Sequence, residues 1–185
     1  MNLNNLIKES YEIAKEKGWH DKLVSFAEYI ANIHAELSEA WEEWRNNRGL
    51  DEIYYECNKS EEERCNIDLE CQCCDFSKPS GIPIELADVV IRICDMFGEC
   101  EKKGFNFDEV IPAFIKSNPI EFTDFSQFIN QCHKVISKGT LCSLKAIIIK
   151  IEEYCKHNYI DLEQAIELKM AYNKTRPYRH GNKRV

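Results

Sequence analysis

Residues 33–44 read IHAELSEAWEEW, with glutamates at Glu36, Glu39, Glu42 and Glu43 and no lysine or arginine among them. At about 100° per residue, Glu36, Glu39 and Glu43 fall within an arc of roughly 60° on a helix. Ile33, Leu37, Ala40 and Trp44 form an apolar stripe beside them. The carboxylates therefore stand at the edge of the buried face. Like charges at this spacing destabilise a helix, so a counter-charge is expected from elsewhere in the fold.

A second stretch repeats the arrangement. In GIPIELADVVIRICDMFG (81–98), Leu86, Val89, Val90, Ile93 and Phe97 form the stripe, and Glu85 and Asp88 edge it. Packing the two stripes together brings Glu36, Glu39, Glu85 and Asp88 to one rim. Carboxylates brought that close either hold protons or bind cations. An all-oxygen set of this kind suits Mg2+, or Mn2+, completed by water and phosphate oxygens. The plainer reading is a solvated face on which Asp88 pairs with Arg92 at i+4. A carboxylate di-iron bundle requires Glu-x-x-His pairs on two helices, and none occurs.

Outward from these two helices the pattern stays helical, with no sustained period-two alternation. The expected fold is an all-α helical bundle, a single domain over 1–185, with helices near 2–17, 22–47, 82–103, 107–117, 122–137, 141–157 and 161–174. Residues 48–80 read as one long irregular insert, rich in cysteine. A weak internal repeat is visible: FAEYIANIH (26–34) matches FSQFINQCH (125–133), VVIRI (89–93) matches IIIKI (147–151), and FDEVI (107–111) loosely matches DLEQAI (161–166). Residues 122–174 would then be a degenerate second copy of a helix pair. Ser143 and Ala146 stand where Glu85 and Asp88 would fall.

The order E-x-x-E, then E-x-x-D on the next long helix, then the tail KMAYNKTRPYRHGNK (169–183), resembles the MazG-like family of all-α nucleoside triphosphate pyrophosphohydrolases. The resemblance covers HAELSEAWEEWR (34–45), residues 81–98 and the tail, about a quarter of the chain. It implies Mg2+-dependent hydrolysis of a nucleoside triphosphate to the monophosphate and pyrophosphate. Glu36, Glu39, Glu85 and Asp88 match the metal-ligand positions and are the implied catalytic set. Lys169, Asn173, Lys174, Arg176 and Arg179 are the candidate phosphate-binding residues, because a triphosphate needs clustered donors and arginine offers a forked one. Trp41, Trp44 and His34 are candidates for base contact, with Trp44 falling in the apolar stripe and His34 outside it. Relatives build the site across subunits, so a homodimer is the expected assembly. The long segment between Gly104 and Lys169 departs from the family pattern, and an internal copy could replace part of a partner.

The net charge of −8 disfavours a polymeric nucleic-acid or membrane-surface binder, both of which need a basic footprint. No signal-peptide core or membrane span is read, so the cytoplasm is the expected compartment. Of ten cysteines, Cys94, Cys100, Cys132, Cys142 and Cys155 fall in helical patterns as small apolar residues. Cys57, Cys65, Cys71 and Cys74 could hold a structural Zn2+, although only one C-x-x-C is present; free thiols are the alternative. The rival to the enzyme is a non-catalytic nucleotide- or metal-sensing module on the same bundle.

Overall fold

The computed structural model describes residues 1–56, 78–113 and 123–182. Its helices are α1 (Leu3–Glu16), α2 (Phe26–Arg45), α3 (Ile82–Lys102), α4 (Phe125–Ile136), α5 (Leu141–His157) and α6 (Leu162–Thr175), with a last turn at Arg179–Asn182. Two short strands, β1 (Tyr54–Glu56) and β2 (Lys78–Ser80), are the only sheet among the described residues. The fold is an all-α bundle.

α3 is its axis. α1, α2, α5 and α6 all pack on it, and 16 of its 21 residues are buried. Ile84, Ala87 and Cys94, outside the stripe read from the sequence, are buried as firmly as Leu86 and Val90, and Ile91 is buried as well. Over Ile82–Gly98 the helix is enclosed by its neighbours, so Glu85, Asp88 and Asp95 are buried with it. α4 lies against α2 and α5, and one continuous apolar cluster runs from Leu6 to Met170.

Local chemistry sets the helix starts. The Ser25 hydroxyl accepts from the Glu28 N–H and the Glu28 carboxylate accepts from the Ser25 N–H, a reciprocal cap that starts α2 at Phe26 rather than at 22. Asp124, Thr140 and Asp161 cap α4, α5 and α6 with their side-chain oxygens. Each such cap contributes about 1 kcal/mol.

Two expectations are corrected. Of the helix expected over 107–117, the described residues form only a 3-10 turn at Phe107–Glu109, after which Val110 is extended and no helix continues to residue 113. Pro112 explains this, since it disfavours the helical conformation at Ile111 before it. The stretch FDEVI therefore takes a different form from α6, the element it was matched to. The insert over 48–80 is not wholly irregular: β1 and β2 pair antiparallel, with Tyr54 opposite Ser80. The hairpin leads straight into α3 through Gly81, at φ +115°, where a Cβ would run into the Glu52 carbonyl. Cys57, Cys65, Cys71 and Cys74, and the zinc reading with them, lie outside the described residues. Cys94, Cys132 and Cys155 are buried and Cys100 is half-buried, whereas Cys142 is exposed rather than packed. No described helix is long and apolar enough to cross a membrane.

Candidate metal centre and phosphate cleft

α2 and α3 run side by side, and their facing turns bring Glu36, Glu39 and Glu85 together. One carboxylate oxygen from each lies within 4.8 Å of the others. Glu36 and Glu85 are buried, at 8% and 2% exposure, whereas Glu39 is exposed. Asp88 is also buried, one turn further along α3.

The counter-charge question raised by the sequence has a divided answer. Arg92 Nε donates to Glu36 Oε1 at 2.9 Å, and Lys169 Nζ lies 2.6 Å from Asp88 Oδ2. Arg92 therefore crosses to α2 instead of pairing with Asp88 along its own helix. Glu42 takes Arg45 at 2.7 Å, just beyond the quoted stretch, and Glu43 accepts from the Tyr54 hydroxyl at 2.9 Å. Glu85 is left over. Its Oε2 is buried with no hydrogen-bond partner among the described residues.

Burial is the main reason that the Glu85 carboxyl is pushed up to about 8, with Asp88 and Glu39 adding to it and Lys169 and Lys78 opposing it. Burial likewise raises Glu36, against the pull of Arg92. Burial works against the Lys169 ammonium, but Asp88 and Glu85 outweigh it and hold its pKa above the ordinary value. The cluster is thus short of positive charge even with both cations in place. The orphaned oxygen and the all-carboxylate donor set fit a hard divalent cation, Mg2+ or Mn2+, held by Glu36, Glu39 and Glu85.

A cavity of about 290 Å³ opens beside the cluster. α2 and α3 contribute Glu36, Glu39, Asp88 and Arg92 to its lining. α6 and the segment after it contribute Lys169, Arg176 and His180, and the α1–α2 connection contributes Trp19 and His20. An adjoining cavity of about 50 Å³ shares Asp88, Arg92 and Arg176 and adds Asn173. Acidic and basic side chains therefore meet in one cleft.

Not every candidate reaches it. Lys174 pairs with Glu9 at 2.6 Å on the surface, and Arg179 Nε donates to the Gly18 carbonyl at 3.0 Å. Trp41, Trp44 and His34 lie on the side of α2 that meets α4. Trp41 and Trp44 contact Phe125, with ring centroids 6.5 and 5.4 Å away, and Trp44 is 40% exposed rather than core.

Sequence reasoning missed the Trp19 and His20 end. His20 Nε2 lies 2.7 Å from Asp95 Oδ1, pinning the α1–α2 connection to α3. Burial lowers the His20 pKa, but the bond and charge of Asp95 outweigh it and the net shift is upward. The two residues are 75 positions apart, and no local pattern links them. Compared with known protein families, with curated proteins and with solved structures, the chain matches none.

Proposed function

We propose that this chain is a MazG-like nucleoside triphosphate pyrophosphohydrolase that uses Mg2+, with Mn2+ as a substitute. One observation carries the reading: Glu85, whose Oε2 is buried without a partner among the described residues, stands with Glu36 and Glu39 beside a cleft that Lys78, Arg92, Lys169 and Arg176 also line. Glu36, Glu39 and Glu85 would hold the ion, with Asp88 beside them. Once bound, the ion supplies charge neutralisation at the phosphate oxygens and a more acidic water.

The chain's own residues divide the remaining work. Arg176 and Asn173 bind phosphate oxygens, Arg176 by its forked donors. Lys169 pairs with Asp88 and aligns it in the wall. Arg92 does the same for Glu36, leaving the second Glu36 oxygen for the ion. Glu39, exposed at the mouth, takes the proton of the attacking water. The water oxygen bonds to the α-phosphorus as the bond from that phosphorus to the α–β bridging oxygen breaks, and the bridging oxygen leaves with pyrophosphate. The Trp19 ring offers an apolar wall for the base.

The test is pyrophosphate release from a panel of ribo- and deoxyribonucleoside triphosphates, with Mg2+ and with EDTA. Metal-dependent release from one or a few, lost in Glu39→Gln, is expected. No release from any by folded protein in Mg2+ would leave the non-catalytic nucleotide- or metal-sensing module in its place.

A further inference from the structure

After α6 the chain does not trail away. Residues 176–182 turn back across the connection between α1 and α2 and close over it. Arg179 N–H donates to the Lys17 carbonyl at 2.9 Å, and its Nε donates to the Gly18 carbonyl at 3.0 Å. The Tyr178 hydroxyl is bonded to Asp21. Lys17 Nζ reaches the Lys174 carbonyl at 2.6 Å, placing a positive charge at the negative end of α6. The His180 ring stands edge-on to Trp19, with centroids 4.9 Å apart.

Gly18 makes this closure sterically possible. Its φ is +79°, and a Cβ there would lie inside the Tyr178 ring. Arg179 and His180 both hold positive φ, +46° and +47°. For non-glycine residues that conformation costs on the order of 1–2 kcal/mol each, so it persists only where surrounding contacts impose it. The contacts that impose it here are those to the turn at 17–21.

Both partners face the cleft. The turn carries Trp19 and His20 into the lining, and the returning segment carries Arg176 and His180. We propose that Tyr178, seated on Gly18 and bonded to Asp21, is a positioning residue that latches the C-terminal segment in place, so that Arg176 and His180 are aligned against the phosphates of the substrate. Tyr178 itself lines neither cavity and acts through the residues on either side of it. The proposal rests on the phosphohydrolase reading above for the identity of the ligand, but the latch can be tested without it.

The variants are Tyr178→Ala, which removes both the seat and the bond, and Tyr178→Phe, which keeps the ring on Gly18. Inorganic tripolyphosphate with Mg2+ serves as a probe free of base and sugar, its binding measured by calorimetry. Wild-type protein labelled with 5-fluorotryptophan reports the Trp19 environment by fluorine NMR, the Trp19 resonance being assigned with Trp19→Phe.

We expect Tyr178→Ala to weaken tripolyphosphate binding about ten-fold or more and to raise KM for the nucleotide by a similar factor, with kcat within about two-fold; that split marks lost binding rather than lost chemistry. Tyr178→Phe should recover most of the affinity. The Trp19 resonance should move in Tyr178→Ala while those of Trp41 and Trp44 stay. Tripolyphosphate binding that depends on Tyr178 without hydrolysis of any nucleotide upholds the latch and removes the enzyme reading. Hydrolysis with KM and tripolyphosphate affinity unchanged in Tyr178→Ala overturns the latch and leaves the enzyme reading standing. Absence of both binding and hydrolysis in the wild type overturns both.

Discussion

His34 on α2 and His133 on α4 meet edge to edge, with centroids 5.0 Å apart, planes 12° from parallel and Nδ1 atoms 2.7 Å apart. These are the histidines that end the matched stretches FAEYIANIH and FSQFINQCH. Their surroundings match too: Ser38 and Ser137, each four residues on, donate to the carbonyls of His34 and His133 at 2.8 Å. A separation of 2.7 Å between ring nitrogens leaves room for one shared proton, so one ring must accept while the other donates.

This pair predicts acid sensitivity. Burial lowers the pKa of both rings, and His34 lowers His133 further by charge repulsion. A histidine whose folded pKa lies below its unfolded value, about 6.5, contributes stability at higher pH and loses it as pH falls through that window. The α2–α4 contact should therefore loosen as pH falls below the unfolded histidine value of about 6.5. His133→Gln should flatten the decline in Tm between pH 7 and 5, and an unchanged slope would exclude the pair as its source.

Glu85 predicts a trade of stability for function. Its folded pKa of about 8 stands above the unfolded carboxylate value, so the folded protein binds the extra proton and stability falls as pH rises from about 4.5 to 8. In EDTA at pH 8, Glu85→Gln removes that cost and should stabilise the protein by on the order of 4 kcal/mol. The same variant should abolish any rise in Tm on adding Mg2+. Denaturant unfolding with and without the metal reads both effects, and a destabilised Glu85→Gln in EDTA would contradict the account.

Gly98 predicts a packing defect far from the acids. A Cβ there would meet Tyr11 Cβ at 2.5 Å, an atom fixed to the α1 backbone that cannot swing aside. Gly98→Ala must separate α1 from α3, and the strain outweighs the gain in helix propensity, for a net loss of about 1–2 kcal/mol. The Tyr11 ring packs on His20 with centroids 4.6 Å apart, so the shift should also disturb the His20–Asp95 bond. Urea unfolding measures the first effect, and the His20 imidazole NMR titration measures the second.

What could be read from the sequence follows the range of the forces. Helix period and caps are local, so α1, α5 and α6 begin and end within a residue or two of where 2–17, 141–157 and 161–174 placed them. The meeting of Glu36, Glu39 and Glu85 was legible because two apolar stripes imply one packing face. Arg92 and Lys169 were not assigned to their carboxylates, because i+4 geometry favours Arg92 on Asp88 and only the position of α6 redirects it. Trp19, His20 and the Tyr178 latch depend on contacts across 75 to 161 residues, with no repeating pattern to announce them. The burial of α3 beyond its stripe was likewise hidden, since a helix packed against four others needs no amphipathic stripe.

Lys169 and Asp88 predict a strongly coupled pair. The Lys169 ammonium is 4% exposed and lies 2.6 Å from Asp88 Oδ2, so removing either partner strands a buried charge. Lys169→Met alone should cost about 3–5 kcal/mol, as breaking one side of a buried pair does. Asp88→Asn alone leaves the ammonium beside Glu85, whose buried carboxyl can ionise to meet it, so its cost should be smaller. In the double variant no unmatched charge remains at this contact, and stability should return to within about 1–2 kcal/mol of the wild type. Urea unfolding of the four proteins gives the coupling energy. A near-additive cycle would mean that Lys169 is held by its packing in α6, and that its ion pair with Asp88 contributes little to placing the acid in the cleft.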